Sequence, residues 1–423
     1  MTLFALILFV CFVLTVPIAA GLGLSSFAYM QQMGMNLGMI GQRMFVAVDM
    51  STLLAIPFFI LAGNLMNSGG ISRRIIDCIN CFVGRRTGGF AIVTIVSCMF
   101  FAALSGSGAA TTGAIGAIMI PMMVGKGYDV RFAAGTTATA AELGVIIPPS
   151  VSMILYCVAV NQSISDMFLA GFLPGILIGV SLMVVAYFRC KKEGWRGSDR
   201  TFTGREKLVS VLNASWALFM PLIILGGIYG GIVTPTEAAA VSAVYAMFVG
   251  FVVYRELTVK SFIKSLYDTA VLVGIVMIIL STAGLFAYML TINMVPQKVA
   301  GWLVGFSDNK YVLLLLINVV LLVIGMFFDG APAMIVMAPI LLPAVTAVGV
   351  DPIHFGIIMV CNLALGMITP PFGVNLFVAA QVARIKYVEM IRSIVPYMIA
   401  IWLDLMIIMC FPQICLFLPG LFR

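Results

Sequence analysis

The sequence predicts an all-α polytopic membrane protein made of two inverted-topology repeats, each carrying a re-entrant helical hairpin and an interrupted transmembrane helix. Three observations lead there. Of 423 residues, 62% are hydrophobic and 9% charged, with a mean hydropathy of +1.17, against roughly 25% charged residues in a soluble domain. Apolar runs recur at about 50–69, 166–190, 211–233, 236–254, 268–293 and 393–419, and a bilayer core needs ~20 helical residues. "LGVIIPPS" at 143–150 returns as "LGMITPPF" at 365–372, each time placing a glycine and a double proline inside a hydrophobic run. The alternating polar and apolar segments of an outer-membrane barrel are absent.

Along the chain, the opening "MTLFALILFVCFVLTVPIAAGLGL" lacks a charged segment before its apolar core and continues into membrane sequence. It therefore reads as a retained helix, not a signal peptide, and is short, with about 15 residues before Val16-Pro17. "RRIIDCINCFVGRR" reads as an amphipathic interfacial helix on which Cys78 and Cys81 fill apolar positions. One histidine in the chain and no second C-x-x-C leave little support for a metal or redox role. The nine cysteines lie mostly in apolar runs, where they act as small hydrophobes.

Walking outward from the double prolines at a fixed offset of 222 residues, Asp129 meets Asp351, Pro121 meets Pro343 and Gly108 meets Gly330. In each half a helix (about 88–104 or 311–328) reaches a short polar tip, "SGSG" at 105–108 or "DGAPA" at 329–333, and a second apolar stretch follows. With a small gap Pro17 pairs with Pro235 at offset 218. The chain is thus expected to divide into a first repeat, 1–200, with hairpin 88–124 and broken helix 131–160, and a second, 211–423, with hairpin 311–344 and broken helix 353–383. The polar linker 191–210 joins them.

The net charge of +7 comes from bases clustered in short loops, so it is a topology signal and not a nucleic-acid footprint. Lys191, Lys192, Arg196, Arg200, Arg205 and Lys207 place the linker in the cytoplasm, and Arg255, Lys260, Lys264, Arg384, Lys386 and Arg392 return to that side. Segments 294–310 and 345–352 then face outward, as do both termini, so the second hairpin enters from outside. Arg73, Arg74, Arg85, Arg86, Lys126 and Arg131 mark the first hairpin's ends as cytoplasmic. The two hairpins therefore enter from opposite faces.

In hydrocarbon each unpaired backbone group costs several kcal/mol, so irregular backbone persists only where it is buried in protein or lines a site. Hairpin tips and broken helices offer an ion freed carbonyls and half-helix ends with partial charge. Two cation sites follow. Ser105, Ser107 and Gly108 would face Gly144, Ile147, Pro149 and Ser150; Asp329 and Gly330 would face Gly366, Thr369, Pro371 and Asn375. Paired interruptions in the two halves point to a secondary transporter with its site near the midplane. An anionic carboxylate between the breaks would want hydroxyls, amides and helix N-termini, and Ser107, Thr111, Ser150, Thr369 and Asn375 are available.

Other residues read more plainly. Thr234, Pro235 and Glu237 form a capping box. Glu142, inside an apolar helix just before the first break, is either a functional carboxylate or half of a structural salt bridge. Asp404 interrupts the last span and reads as a packing or partner-facing group. Asp329 stands where the first half has Ser107, so the two sites are not electrostatically alike. No G-x-x-x-x-G-K-[ST] is present to hold ATP. The lone His354 lies beside the expected outer surface, which leaves no histidine catalysis.

The stretches "SGSGAATTGAIGAIMIPMM", "LGVIIPPS", "GGIVTPTEAAAVSAVYA", "MFFDGAPAMIVMAPILLP" and "NLALGMITPPFGVNLFV" together resemble the large membrane subunit of tripartite ATP-independent periplasmic (TRAP) transporters, over essentially the whole chain. The resemblance implies a Na⁺-driven importer of organic acids in the bacterial inner membrane, not an enzyme. It implies a small four-helix membrane subunit, a soluble periplasmic substrate-binding protein, and elevator movement of a transport domain against a scaffold. The small subunit is expected as a separate chain. By motif, about two Na⁺ would lie on the tip and break residues named above. Sialic acid is slightly favoured over a C4-dicarboxylate on overall likeness. The alternatives are a self-sufficient Na⁺/carboxylate symporter, a passive channel, and an intramembrane enzyme using Asp329, Glu142 and Asp404.

Overall fold

The computed structural model describes residues 2–84, 86–198, 201–307 and 309–422. Among the described residues there is no strand, only one isolated antiparallel bridge between Thr87 and Arg196, and nine helical segments are long and apolar enough to cross a bilayer. Arg85 and Arg200, counted above among the cytoplasmic bases, lie outside the described residues.

The chain opens with α1 (Thr2–Val13) and α2 (Ile18–Gln32), parted by Thr15 at φ 56° and by Pro17. At ~1.5 Å per residue the 12 residues of α1 are too short to cross a bilayer unaided. Then come α3 (Gly38–Val48), α4 (Ala55–Ser68) and α5 (Ile71–Val83). The last is amphipathic, as the sequence predicts: Ile71, Ile75, Ile76, Cys78 and Ile79 are buried while Arg73 and Asp77 are exposed. The first hairpin is α6 (Gly89–Ser105) and α7 (Gly108–Val124), and the first broken helix is α8 (Val130–Ala140), α9 (Leu143–Ile146) and α10 (Val151–Val160).

Next is α11 (Ile164–Glu193), which runs further into the expected linker than the composition indicates. Lys191 and Lys192 sit in its last turn, where cations complement the helix dipole, and Gly194 at φ 74° ends it. The second half contains α12 (Gly204–Tyr229), α13 (Pro235–Phe248), α14 (Val259–Ile292) and α15 (Val295–Phe306). The second hairpin is α16 (Lys310–Phe327) with α17 (Gly330–Ala347), and the second broken helix is α18 (Pro352–Gly366) with α19 (Val374–Ala383). The expected single span at 393–419 is instead two helices, α20 (Tyr387–Cys410) and α21 (Gln413–Phe422). Pro412 accounts for this, because a proline disfavours helical backbone at the residue before it, here Phe411. Thr234 and Glu237 form the expected capping box at the start of α13, with Glu237 accepting from the Thr234 amide at 2.8 Å.

Residues that pair at offset 222 play matching parts. Asp129 caps α8 by accepting from the Arg131 amide at 2.6 Å, and Asp351 caps α18 by accepting from the Ile353 amide at 2.8 Å. Both double prolines contain a cis peptide bond. The packing is reciprocal: α10, after the first break, lies on α17 of the second hairpin, and α19, after the second break, lies on α7 of the first. This exchange brings both tips and both breaks into one region, flanked by α4 and α14, which pack on each other.

Candidate functional site

The first tip is held by its own hydroxyls. Gly106, at φ 61°, turns the chain out of α6, and Ser107 caps α7 by accepting from the Ala110 amide. Ser105 Oγ lies 2.9 Å from Thr111 Oγ1, and Thr111 Oγ1 donates to the Ser107 carbonyl at 2.8 Å. The tip then docks on the first break: the Val151 amide donates to the Gly106 carbonyl at 3.4 Å. Gly144 lies so close beneath that a Cβ there would stand 2.7 Å from the Ser107 carbonyl oxygen and 2.8 Å from Thr111 Oγ1.

At the first break α9 stops at Ile146, and α10 restarts with Ser150 as its cap, accepting from the Met153 amide. Ile147, Pro148 and Pro149 between them are buried, and no described residue donates a hydrogen bond to their carbonyls. At the second break α18 stops at Gly366, and Gly373, at φ 46°, precedes α19. The carbonyls from Ile368 to Phe372 are likewise unmatched among the described residues, while Pro371 and Phe372 are exposed. Gly366 lets α18 meet α16, since a Cβ there would lie 2.5 Å from Gly325 Cα. Asp329 caps α17 by position but makes no side-chain capping bond.

Both tips line one cavity of about 280 Å³. Ser105, Ser107 and Gly108 come from the first tip, Asp329 and Ala331 from the second, Val151 and Ser152 from beyond the first break, and Met367 and Val374 from the second break. Asn64 and Asn67 on α4 and Leu272 and Val276 on α14 form the facing wall. Asn64 is oriented by donating to Thr269 Oγ1 at 2.9 Å. No lysine or arginine is among these lining residues; the only charged side chain is Asp329.

The structure thus gathers the expected tip residues but keeps several expected substrate contacts out of the cavity. Thr111 and Thr369 each bond a carbonyl four residues back in the chain (Ser107 and Leu365), Ser150 bonds the Val145 carbonyl, and Asn375 donates to Glu142 Oε1 at 2.6 Å. All four are buried. Among the described residues Glu142 therefore takes part in neither a salt bridge nor the wall of this cavity. Asp404 is buried beneath Ser181, whose Oγ donates to it at 2.8 Å, and His354 bonds the Ile408 carbonyl through Nε2; neither lines the cavity. Asn64 and Asn67 were not anticipated, although polar residues inside the apolar helix "AIPFFILAGNLMNS" are a recognisable signal of a site.

Residues 5–414 match the family model described as "Tripartite ATP-independent periplasmic transporter, DctM component". The chain is 44% identical over 410 residues to the isethionate TRAP transporter permease protein DctMQ of Oleidesulfovibrio alaskensis, covering 96% of this chain and 64% of that protein. It is 42% identical to the C4-dicarboxylate TRAP transporter large permease protein DctM of Pseudomonas aeruginosa, covering 89% and 88%. It is 40% identical to the sialic acid TRAP transporter large permease protein SiaM of Vibrio cholerae, covering 90% and 89%. In fold it is similar to the YdaH transporter of Alcanivorax borkumensis, with TM-score 0.64, 16% identity, and coverage of 88% and 86%.

Proposed function

The chain belongs to the DctM component family of tripartite ATP-independent periplasmic transporters, a multi-pass inner-membrane permease by that membership and its apolar helices, and from this premise we propose that it imports a small organic anion by symport with Na⁺. The observation that carries the proposal is the charge of the cavity. An anion entering a 280 Å³ space whose one charged side chain is Asp329 finds no cationic partner on the wall, and an unpaired buried charge is costly. Na⁺ at the two tip-and-break sites would supply the missing charge, so substrate affinity would depend on Na⁺ being bound. The amide ends of α7 and α17 add partial positive charge at the same place.

The first site takes Ser105, Ser107, Gly108, Gly144, Ile147 and Pro149, and the second Asp329, Gly330, Gly366, Thr369, Pro371 and Asn375. Supporting this are the unmatched carbonyls at both breaks. Na⁺ binding first would order each tip against its break and complete the anion site. The hairpins and broken helices would move together, elevator-like, against a scaffold containing α4 and α14, with the inverted repeats at 1–200 and 211–423 as its basis. The relatives' names span isethionate, C4-dicarboxylate and sialic acid. The cavity, at about 280 Å³, falls just below the ~300–1,000 Å³ usual for ligand pockets, which ranks a C4-dicarboxylate or isethionate above sialic acid. A small four-helix membrane subunit and a periplasmic binding protein are the proposed partners.

Uptake of labelled organic anions into proteoliposomes, with and without an inward Na⁺ gradient and with and without both partners, tests the proposal. Uptake that needs gradient and partners supports it. Uptake by this chain alone would mean a self-sufficient symporter, and indifference to Na⁺ would overturn the coupling.

A further inference from the structure

One side-chain bond joins the two breaks. Glu142 lies one residue before α9, and Asn375 one residue into α19; Asn375 Nδ2 donates to Glu142 Oε1 at 2.6 Å, across 233 residues of sequence. Both side chains are buried, at 1% and 0% exposure. Asn375 also lies against the first tip, since a Cβ on Gly108 would stand 2.5 Å from its Nδ2. Its backbone amide reaches back over the second break to the Met367 carbonyl at 3.3 Å. One residue of the second half is therefore held simultaneously by the first break, the first tip and the second break.

The bond is not a by-product of the repeat. At offset 222 the counterpart of Glu142 is Ala364 and that of Asn375 is Met153, so no such pair exists at the mirrored position. The pair is also under-bonded: Glu142 Oε2 and Asn375 Oδ1 are buried with no hydrogen-bond partner among the described residues. Leaving such acceptors unmatched is unfavourable, and a cation arriving nearby offsets it.

We propose that Glu142 is a positioning residue which, through its hydrogen bond to Asn375, makes filling of one cation site favour filling of the other. The inference rests on the Na⁺-coupled reading above and adds the route by which the two sites communicate. Coupling of this kind has a magnitude fixed by how differently the linked element sits in the two states. Here the linked element is Asn375, which cannot shift with the second break without pulling on the first.

Two substitutions separate the hydrogen bond from the charge. Glu142→Gln keeps an acceptor at the same reach and removes the charge; Glu142→Asp keeps the charge and withdraws the acceptor by one methylene. Na⁺ activation of uptake is measured in proteoliposomes for the assembled complex, with direct ²²Na⁺ binding alongside. Wild type and Glu142→Gln are expected to show a Hill coefficient approaching the number of sites, and Glu142→Asp a value near one with a several-fold higher half-saturating Na⁺. Cooperativity kept by Glu142→Asp, or lost by both variants, overturns the proposal, as does a wild-type curve that is Na⁺-dependent without cooperativity. Wild-type uptake indifferent to Na⁺ is a different failure, that of the Na⁺ reading itself, and removes this inference with it.

Discussion

Replacing Gly144 by alanine adds one methyl group at the point where the first tip rests on the first break. That methyl would stand 2.7 Å from the Ser107 carbonyl oxygen and 2.8 Å from Thr111 Oγ1, closer than carbon and oxygen pack. The first contact is backbone, so no side-chain rotation relieves it, and Thr111 is already committed to that same carbonyl. The tip has to lift. Overpacking of this kind costs ~1–3 kcal/mol. If that cost falls on the docked arrangement that binds Na⁺, occupancy of the first site weakens by about 5- to 150-fold. Gly113→Ala is the control: it lies on α7, the tip helix that Gly144 packs beneath, and lines the cavity, yet a Cβ there meets nothing within 4 Å. The assay is the Na⁺ concentration giving half-maximal uptake in proteoliposomes, with thermal unfolding of each purified complex. Gly144→Ala is expected to raise the Na⁺ requirement steeply while Gly113→Ala leaves it within about twofold of wild type. An unchanged Na⁺ requirement in a Gly144→Ala protein that folds would refute the docking of tip on break as part of the cation site.

Asp329→Asn removes the only charged side chain on the cavity wall and is expected to raise the Na⁺ requirement more than Thr369→Ala, whose hydroxyl is spent on the Leu365 carbonyl; parallel uptake titrations rank the two. Ser181→Ala leaves buried Asp404 without its hydrogen bond and should cost ~1–3 kcal/mol of stability, read as a lower melting temperature with the Na⁺ requirement unchanged. Although Asp77 stands on the exposed face of the amphipathic helix, partial desolvation of its carboxyl pushes it above the ordinary range, an effect partly offset by Arg73 and Arg74. A carboxyl raised in the folded state favours folding when protonated and loses that contribution as pH rises through its folded value. Asp77→Asn should therefore raise the melting temperature at neutral pH, and the gain should vanish on acidification.

Much of the site was legible because the constraint producing it is severe. Double prolines and small polar tips in hydrocarbon are tolerated only where freed backbone is used or buried, and their repetition at one offset fixed which residues correspond, down to the capping aspartates. That the Thr111 and Thr369 hydroxyls stand apart from the cavity has an equally physical reason. A threonine in or just after an apolar helix satisfies itself most cheaply on the carbonyl four residues earlier, as Thr111 does within α7 and Thr369 does just beyond α18. The facing wall was invisible because it depends on α4 and α14 reaching the tips, a matter of long-range packing that periodicity does not encode. The division of 393–419 into two helices could have been read from Pro412, which the length of the apolar run concealed.

The two halves share a geometry but not a distribution of charge. Asp329 aligns with Ser107 and Glu142 with Ala364, so each half contributes one acid from a different element. Had both acids sat at the tips, they would face the anion together and repel it. As arranged, the cavity meets one carboxylate, and the other is buried behind it and turned to Asn375. The first break is wholly buried, while Pro371 and Phe372 of the second are exposed. The closed half thus holds the residue that links the breaks, and the open half presents the charge that a cation would meet first. A Na⁺ drawn to Asp329 would order the second break around Asn375 and, through Glu142, brace the first tip before the substrate arrives. On this reasoning the second site fills first, and Asp329→Asn should abolish the cooperativity of Na⁺ activation that Glu142→Gln retains.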